Sequence, residues 1–177
     1  MEMASRRALI EDGAAIAAIY NQGIEDRVAT FETELRTPAG TAAILAERLP
    51  VYPAVVVEGS GRIVGFAWTA PYSSRPCYKG IGEFSVYVDR GVRGMGAGRL
   101  ALTALIPECE RLGFWKLTSR VFPDNRASRG LCASLGFREV GIHSHHARLD
   151  GVWKDVVIVE RLLGDAAQGQ SADGLGQ

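Results

Sequence analysis

The sequence predicts a single α/β domain. Runs rich in β-branched and aromatic residues, such as "PAVVVE", "RIVGFAWTAP", "EFSVYVD" and "DVVIVE", read as strands. Between them lie stretches with apolar residues at helical spacing: Leu102, Leu105, Ile106 and Cys109 fall at i, i+3, i+4 and i+7. A length of 177 residues with 47% apolar content suffices for one domain with a real core.

The elements follow in order. "SRRAL" is a weak first strand, and "EDGAAIAAIYNQGI" is a helix with Ile16, Ile19 and Tyr20 on one face. "VATFETE" is a loop. A second helix opens at Thr37, an N-cap, with Pro38 at the first helical position, where its missing N–H costs nothing. "PAVVVE" and "RIVGFAWTAP" form a hairpin around "GSG", and "EFSVYVD" is the fourth strand. After a glycine-rich loop comes the helix of "RLALTALIPECERLGF", in which Pro107 is expected to introduce a kink. "KLTSRVF" is a fifth strand, "NRASRGLCASL" a short helix stopped by Gly136, and "HSHHARL" and "VWKDVVIVERLL" a closing hairpin around "DGV". The domain is expected over residues 1–164. The tail over residues 165–177 is poor in large apolar residues and is expected to be disordered.

Composition excludes several classes of function. Lys+Arg and Asp+Glu number 20 each, so no basic field selects nucleic acid or an anionic membrane. The apolar runs are too short to span a bilayer, and the first residues lack the pattern of a signal peptide. Cys77, Cys109 and Cys132 are widely spaced with no CxxC pair, which suits a reducing compartment. The expected location is therefore the cytoplasm. His143, His145 and His146 lack a carboxylate or cysteine at matching spacing, so no metal site is expected.

The chemistry concentrates in "VRGMGAG". Arg93, Gly94, Met95, Gly96, Ala97 and Gly98 lie between a strand and a helix, and the glycines let backbone approach a ligand closely. Successive N–H groups there, with the helix start, suit a pyrophosphate, and Arg93 and Arg99 can add charged bonds. A glycine turn that serves packing alone fits the same residues. The dinucleotide fingerprint GxGxxG fails at Arg99, and GxxxxGK[ST] has no match.

"RGMGAG" after a strand resembles the R/Q-x-x-G-x-G/A acyl-CoA loop of the GNAT superfamily of acetyltransferases. "PDNRASRGLCASLGF" is similar to that superfamily's later element. With "NQGI", "ATFETE", "RPCYKGIGEFSVYVDRGVRGMG" and "DGVWKDVVIVERLL", the chain resembles the phosphinothricin, arsinothricin and methionine-sulfone N-acetyltransferase subgroup from about Arg6 to Leu163. The resemblance implies the GNAT fold, a mixed central sheet of about seven strands flanked by helices, and a homodimer. It implies acetyl-CoA as co-substrate and a small amino acid as acceptor.

Residue by residue, the resemblance makes Glu83 the general base that deprotonates the acceptor amine; a solvated strand-end glutamate is the plainer reading. Val86, Tyr87 and Val88 would offer backbone groups to the pantetheine arm and thioester, residues 93–98 would take the pyrophosphate, and Asn125 would contact the cofactor or cap a helix. Arg75 and Tyr78 would bind the acidic acceptor, with Phe31 and Thr33 lining its pocket; a surface arginine and a core phenylalanine are the alternatives. Cys132 stands where relatives carry Tyr or His as the acid for the leaving thiolate, and reads better as a buried packing cysteine. Trp153 and Asp155 would hold the last hairpin. Gly80 replaces an aromatic ring of the relatives, which is expected to open or reshape the pocket.

The resulting expectation is direct acetyl transfer to the α-amine of a glutamate-like toxic amino acid, conferring resistance. Another amine (methionine sulfone or sulfoximine, a polyamine, a protein N-terminus) or an acyl-CoA-binding sensor are the alternatives.

Overall fold

A computed structural model describes residues 1–169. In chain order the strands are β1 (Met3–Arg7), β2 (Ala54–Gly59), β3 (Arg62–Pro71), β4 (Ile81–Val88), β5 (Lys116–Val121), β6 (Arg138–Leu149) and β7 (Val152–Leu162). The helices are α1 (Gly13–Asp26), α2 (Pro38–Arg48), α3 (Ala97–Arg111), α4 (Arg126–Ser134) and a last turn α5 (Asp165–Gly169). The strands form one seven-stranded sheet in the order β1-β2-β3-β4-β5-β7-β6. Every neighbouring pair is antiparallel except β4 and β5, which run parallel.

Local chemistry sets these elements. Ser60 and Gly61 (φ 51° and 74°) turn β2 into β3, and Asp150 and Gly151 (φ 49° and 80°) turn β6 into β7; both are two-residue turns with left-handed backbone. The Thr37 hydroxyl accepts the Gly40 N–H at 3.0 Å and caps α2. Helix α3 starts at Ala97, two residues before the sequence expectation, and remains helical through Pro107 to Arg111.

One face of the sheet carries α3, whose Ala101, Leu102, Leu105 and Cys109 pack on Val55, Val57, Phe84 and Leu117. The other face carries α1 and α2, whose Ile16, Ile24 and Leu45 pack on Val56, Phe66 and Trp68. These helices cover β2, β3 and the Tyr87 end of β4, and leave the rest of that face open around Glu83, Thr118 and Ile158.

Two expectations are revised here. Strand β6 begins at Arg138 rather than His143. Of the tail read as disordered, Asp165–Gly169 is helical, since Ala166 and Ala167 favour a helix and Asp165 suits its first turn; residues 170–177 lie outside the described residues. Among the described residues no helix is long and apolar enough to cross a membrane.

Candidate active site

The site begins where two strands part. β4 and β5 pair at Ile81–Lys116, Gly82–Leu117 and Glu83–Thr118, and the ladder ends there. β4 continues against β3 as far as Val88. Antiparallel pairing alternates, and the Asp89 N–H donates to Val64 O at 2.9 Å, so Ser85 and Tyr87 spend their backbone groups on β3. Val86 and Val88 turn theirs toward the gap. The geometry thus separates three residues that the sequence grouped: Val86 and Val88 present backbone, and Tyr87 presents its ring.

A cleft of about 480 Å³ occupies the gap, within the size range of small-molecule sites. Val86, Tyr87, Val88, Arg93, Gly94, Gly96, Ala97, Gly98 and Asn125 line it, so it gathers every predicted cofactor residue but Met95, which is exposed. Gly94 and Gly96 hold left-handed backbone (φ 79° and 92°), and a Cβ on either would meet nothing within 4 Å. Met95 N–H donates to Val92 O at 3.2 Å and Leu100 N–H to Gly96 O at 3.0 Å, which leaves the amides of Gly94, Gly96 and the first three residues of α3 at the cleft's edge, an arrangement that suits an anion. Gly98 serves packing: its Cβ would sit 3.3 Å from Leu131 and Val88.

The arginines of the loop are held by protein groups. Arg93 Nη2 lies 2.7 Å from Asp26, and Arg99 donates to the Ser134 hydroxyl at 3.1 Å. Burial raises the Asp26 pKa, but hydrogen bonds from Arg90 and Arg93 outweigh it and hold the carboxyl below its ordinary value. Asn125 caps α4, accepting the Ser128 N–H at 3.1 Å, and donates to Val28 O at 3.2 Å. Burial pushes the Tyr87 phenol well above its ordinary value, so it keeps its proton at neutral pH.

A second cavity of about 730 Å³ lies on the open face of β4–β7, lined by Tyr72, Tyr78, Glu83, Lys116, His143 and His146 among others. The two cavities share Ser119 and Arg120, at the split. Arg120 Nη2 lies 2.6 Å from both carboxylate oxygens of Glu83. Arg120 escaped the sequence reading. Its signal is parity: Thr118 and Arg120 share a face of β5, and the parallel register puts Glu83 beside Thr118.

The remaining predicted acceptor residues are scattered. Arg75 is exposed outside both cavities, its Cζ 5.6 Å from the Tyr78 ring. Phe31 packs edge-on to Phe122 at 4.9 Å, and Thr33 is exposed. Gly80 opens no space: the Trp115 indole lies over it, 1.9 Å from where a Cβ would stand.

Cys132 is buried in the core and outside the cleft lining, its thiol pushed up to about 11 by burial. The His143 and His146 rings stand 5.1 Å apart; among the described residues no group of three metal-ligating side chains forms. Asp155 accepts the His145 N–H at 2.7 Å and holds a bulge at which His145 takes φ 47°. Arg148 stacks on the exposed Trp153.

A sheet opened between parallel strands beside a glycine cradle is the architecture of an acyl-CoA N-acyltransferase. The chain belongs to the acetyltransferase (GNAT) family, whose model matches residues 17–137. It is 34% identical over 160 residues to a phosphinothricin N-acetyltransferase of Alcaligenes faecalis, covering 86% of this chain and 79% of the relative. It is 31% identical to an L-methionine sulfoximine/L-methionine sulfone acetyltransferase of Salmonella typhimurium, covering 88% and 92%. Its fold matches the crystal structure of a GNAT superfamily phosphinothricin acetyltransferase from Sinorhizobium meliloti in complex with acetyl-CoA, with TM-score 0.88, 27% identity and coverage of 99% and 96%. The protein is an N-acetyltransferase.

Proposed function

We propose that the chain transfers the acetyl group of acetyl-CoA to the α-amine of a glutamate-like toxic amino acid of the phosphinothricin or arsinothricin type, and so confers resistance. One observation carries this reading: the strands part directly after Glu83, between a cleft ending in an anion cradle and a second cavity that holds charged side chains. Acetyl-CoA enters the cleft with its pyrophosphate on the amides of residues 93–98 and its pantetheine arm along Val86 and Val88. The amino acid enters from the second cavity.

Glu83 is the proton acceptor. The bound ammonium gives it one proton, and the free amine attacks the thioester carbonyl carbon. The C–N bond forms and the C–S bond breaks. The second amine proton ends on the CoA thiolate, and Glu83 returns its proton to water. An N–H of the exposed β4 edge meets the developing oxyanion. Thiols ionise near pH 8.5, so the thiolate leaves without help from buried Cys132.

The named activities of the Alcaligenes faecalis and Salmonella typhimurium relatives support an amino-acid acceptor. The free cysteines Cys77, Cys109 and Cys132 support a reducing, cytoplasmic setting. Exposed Val140, Ile142, Val152 and Trp153 on the β6–β7 edge support a homodimer.

The test is a thiol-release assay with acetyl-CoA against phosphinothricin, arsinothricin, methionine sulfone, a polyamine and a peptide N-terminus. Faster turnover of the amino acids bears the reading out. Preference for the polyamine or peptide replaces it with a general amine acetyltransferase, and no turnover with any amine replaces it with an acyl-CoA sensor.

A further inference from the structure

The guanidinium of Arg120 stands where both cavities meet. Both of its hydrogen bonds leave from Nη2 and end on Glu83 at 2.6 Å; among the described residues Nε and Nη1 make none. No second carboxylate lies within ion-pair distance of it among those residues. Of the neighbouring charges, Lys116 (3.0 Å) and Arg138 share the single carboxylate of Glu160 and leave one positive charge in excess there. The Arg120 and Glu83 side chains keep 46% and 29% of their exposure, so their ion pair is solvated and weak.

We propose that Arg120 is a specificity-determining residue of the acceptor site, which takes the α-carboxylate of the amino acid while Glu83 takes its ammonium. The inference rests on the reading of Glu83 as proton acceptor. In a free α-amino acid the two charges sit on either side of one carbon. They therefore fit beside two opposite charges already in contact, and the zwitterion exchanges the internal ion pair for two ion pairs of its own. The exchange also clears the carboxylate oxygens that Arg120 holds, which the proton transfer needs. Once the exchange frees Nη2 from Glu83, its N–H lies parallel to that of Nε, and this planar fork matches a carboxylate with two parallel bonds. An amine without a carboxylate leaves Arg120 on Glu83 and competes with it for the same oxygens. Arg75, the arginine that the sequence suggested for an acidic group, lies outside both cavities and does not compete for this role.

The experiment compares L-phosphinothricin with its α-carboxamide, which keeps the amine and removes only the α-charge. Thiol release is measured at saturating acetyl-CoA for the wild type, Arg120→Gln, Arg120→Lys and Glu83→Gln. The wild type is expected to favour the free acid by about tenfold or more in kcat/KM, the value of a charge-assisted pair. Arg120→Gln should bring that preference below about threefold through a raised KM for the acid, with acetyl-CoA affinity by calorimetry kept within about twofold. Arg120→Lys should fall between, and carries the comparison if Arg120→Gln does not fold. A preference that survives in the variants overturns the inference, as does a wild type indifferent to the α-charge. A tenfold loss of acetyl-CoA affinity in Arg120→Gln also overturns it and assigns Arg120 to the cofactor cleft. Glu83→Gln separates the two readings: undiminished kcat removes Glu83 as the base, while the acid-to-amide ratio still reports on Arg120.

Discussion

Glu83 on β4 and Thr118 on β5 are the last residues to face each other across the parallel pair. Up to that point the two strands share a ladder and a common core under Phe84 and Leu117. Beyond it β4 stays with β3, β5 stays with β7, and the edge of β4 at Val86 and Val88 loses its partner. Val88 O accepts the Arg93 Nε–H at 3.4 Å, and the backbone groups left unpaired need another partner. In the proposed function the amide-bearing arm of acetyl-CoA supplies one, and the same break leaves the Glu83 carboxylate at its apex.

The cradle predicts a loss of acetyl-CoA binding on Gly96→Val. Gly96 holds φ 92°, a conformation that a branched residue resists, and the new side chain would enter the space left for the pyrophosphate. Calorimetry should show affinity lower by at least about tenfold, near 1.4 kcal/mol, with the circular dichroism spectrum retained. Unchanged affinity would remove residues 93–98 from the cofactor site.

Gly80 predicts a stability effect rather than a change of acceptor. Trp115 crosses it so closely that a Cβ would overlap the ring, and the Trp115 and Lys116 N–H groups both donate to Gly80 O, at 2.8 and 3.2 Å. Gly80→Ala must move an indole fixed on both sides of its backbone. Overpacking of this kind costs about 1–3 kcal/mol, or roughly 3–10 °C in Tm for a chain of this size. A Tm within 1 °C of wild type would show that the indole moves freely.

The cysteines predict an ordered reaction with iodoacetamide. Cys77 is exposed, whereas burial pushes the thiols of Cys132 and Cys109 up to about 11 and about 12. Thiolate is the reactive form, so at pH 7 to 8 the two buried groups hold their protons. Mass spectrometry of the folded protein should find one alkylated site, Cys77, with the others labelled only after unfolding. Rapid labelling of Cys132 in the native state would place it in an open site.

The parts of this molecule that depend on short stretches of chain could be read from the sequence. The turns at Ser60–Gly61 and Asp150–Gly151, the Thr37 cap and the glycine-rich loop between β4 and α3 each draw on a few adjacent residues. Parts that depend on register could not. Arg120 meets Glu83 because β4 and β5 run parallel with Glu83 opposite Thr118, and neither strand encodes its partner. Trp115 over Gly80 is likewise a meeting of segments far apart in sequence. The stretch "REVGI" mixes charge and glycine, a weak strand signal that its pairing with β7 overrides. Phe31 had two readings from its loop, and its edge-on contact with Phe122 places it against a small core cluster.

The central claim is that Glu83 accepts the proton of the acceptor amine at the point where the strands part, and Glu83→Gln tests it most directly. The substitution keeps the shape of the side chain and removes its basicity. Positioned bases contribute on the order of 10²–10⁴ in rate. Thiol release with phosphinothricin at saturating acetyl-CoA should therefore fall by at least about a hundredfold in kcat, with acetyl-CoA affinity kept by calorimetry. Turnover within about threefold of wild type would contradict the account and assign the proton to water or to another group in the cleft.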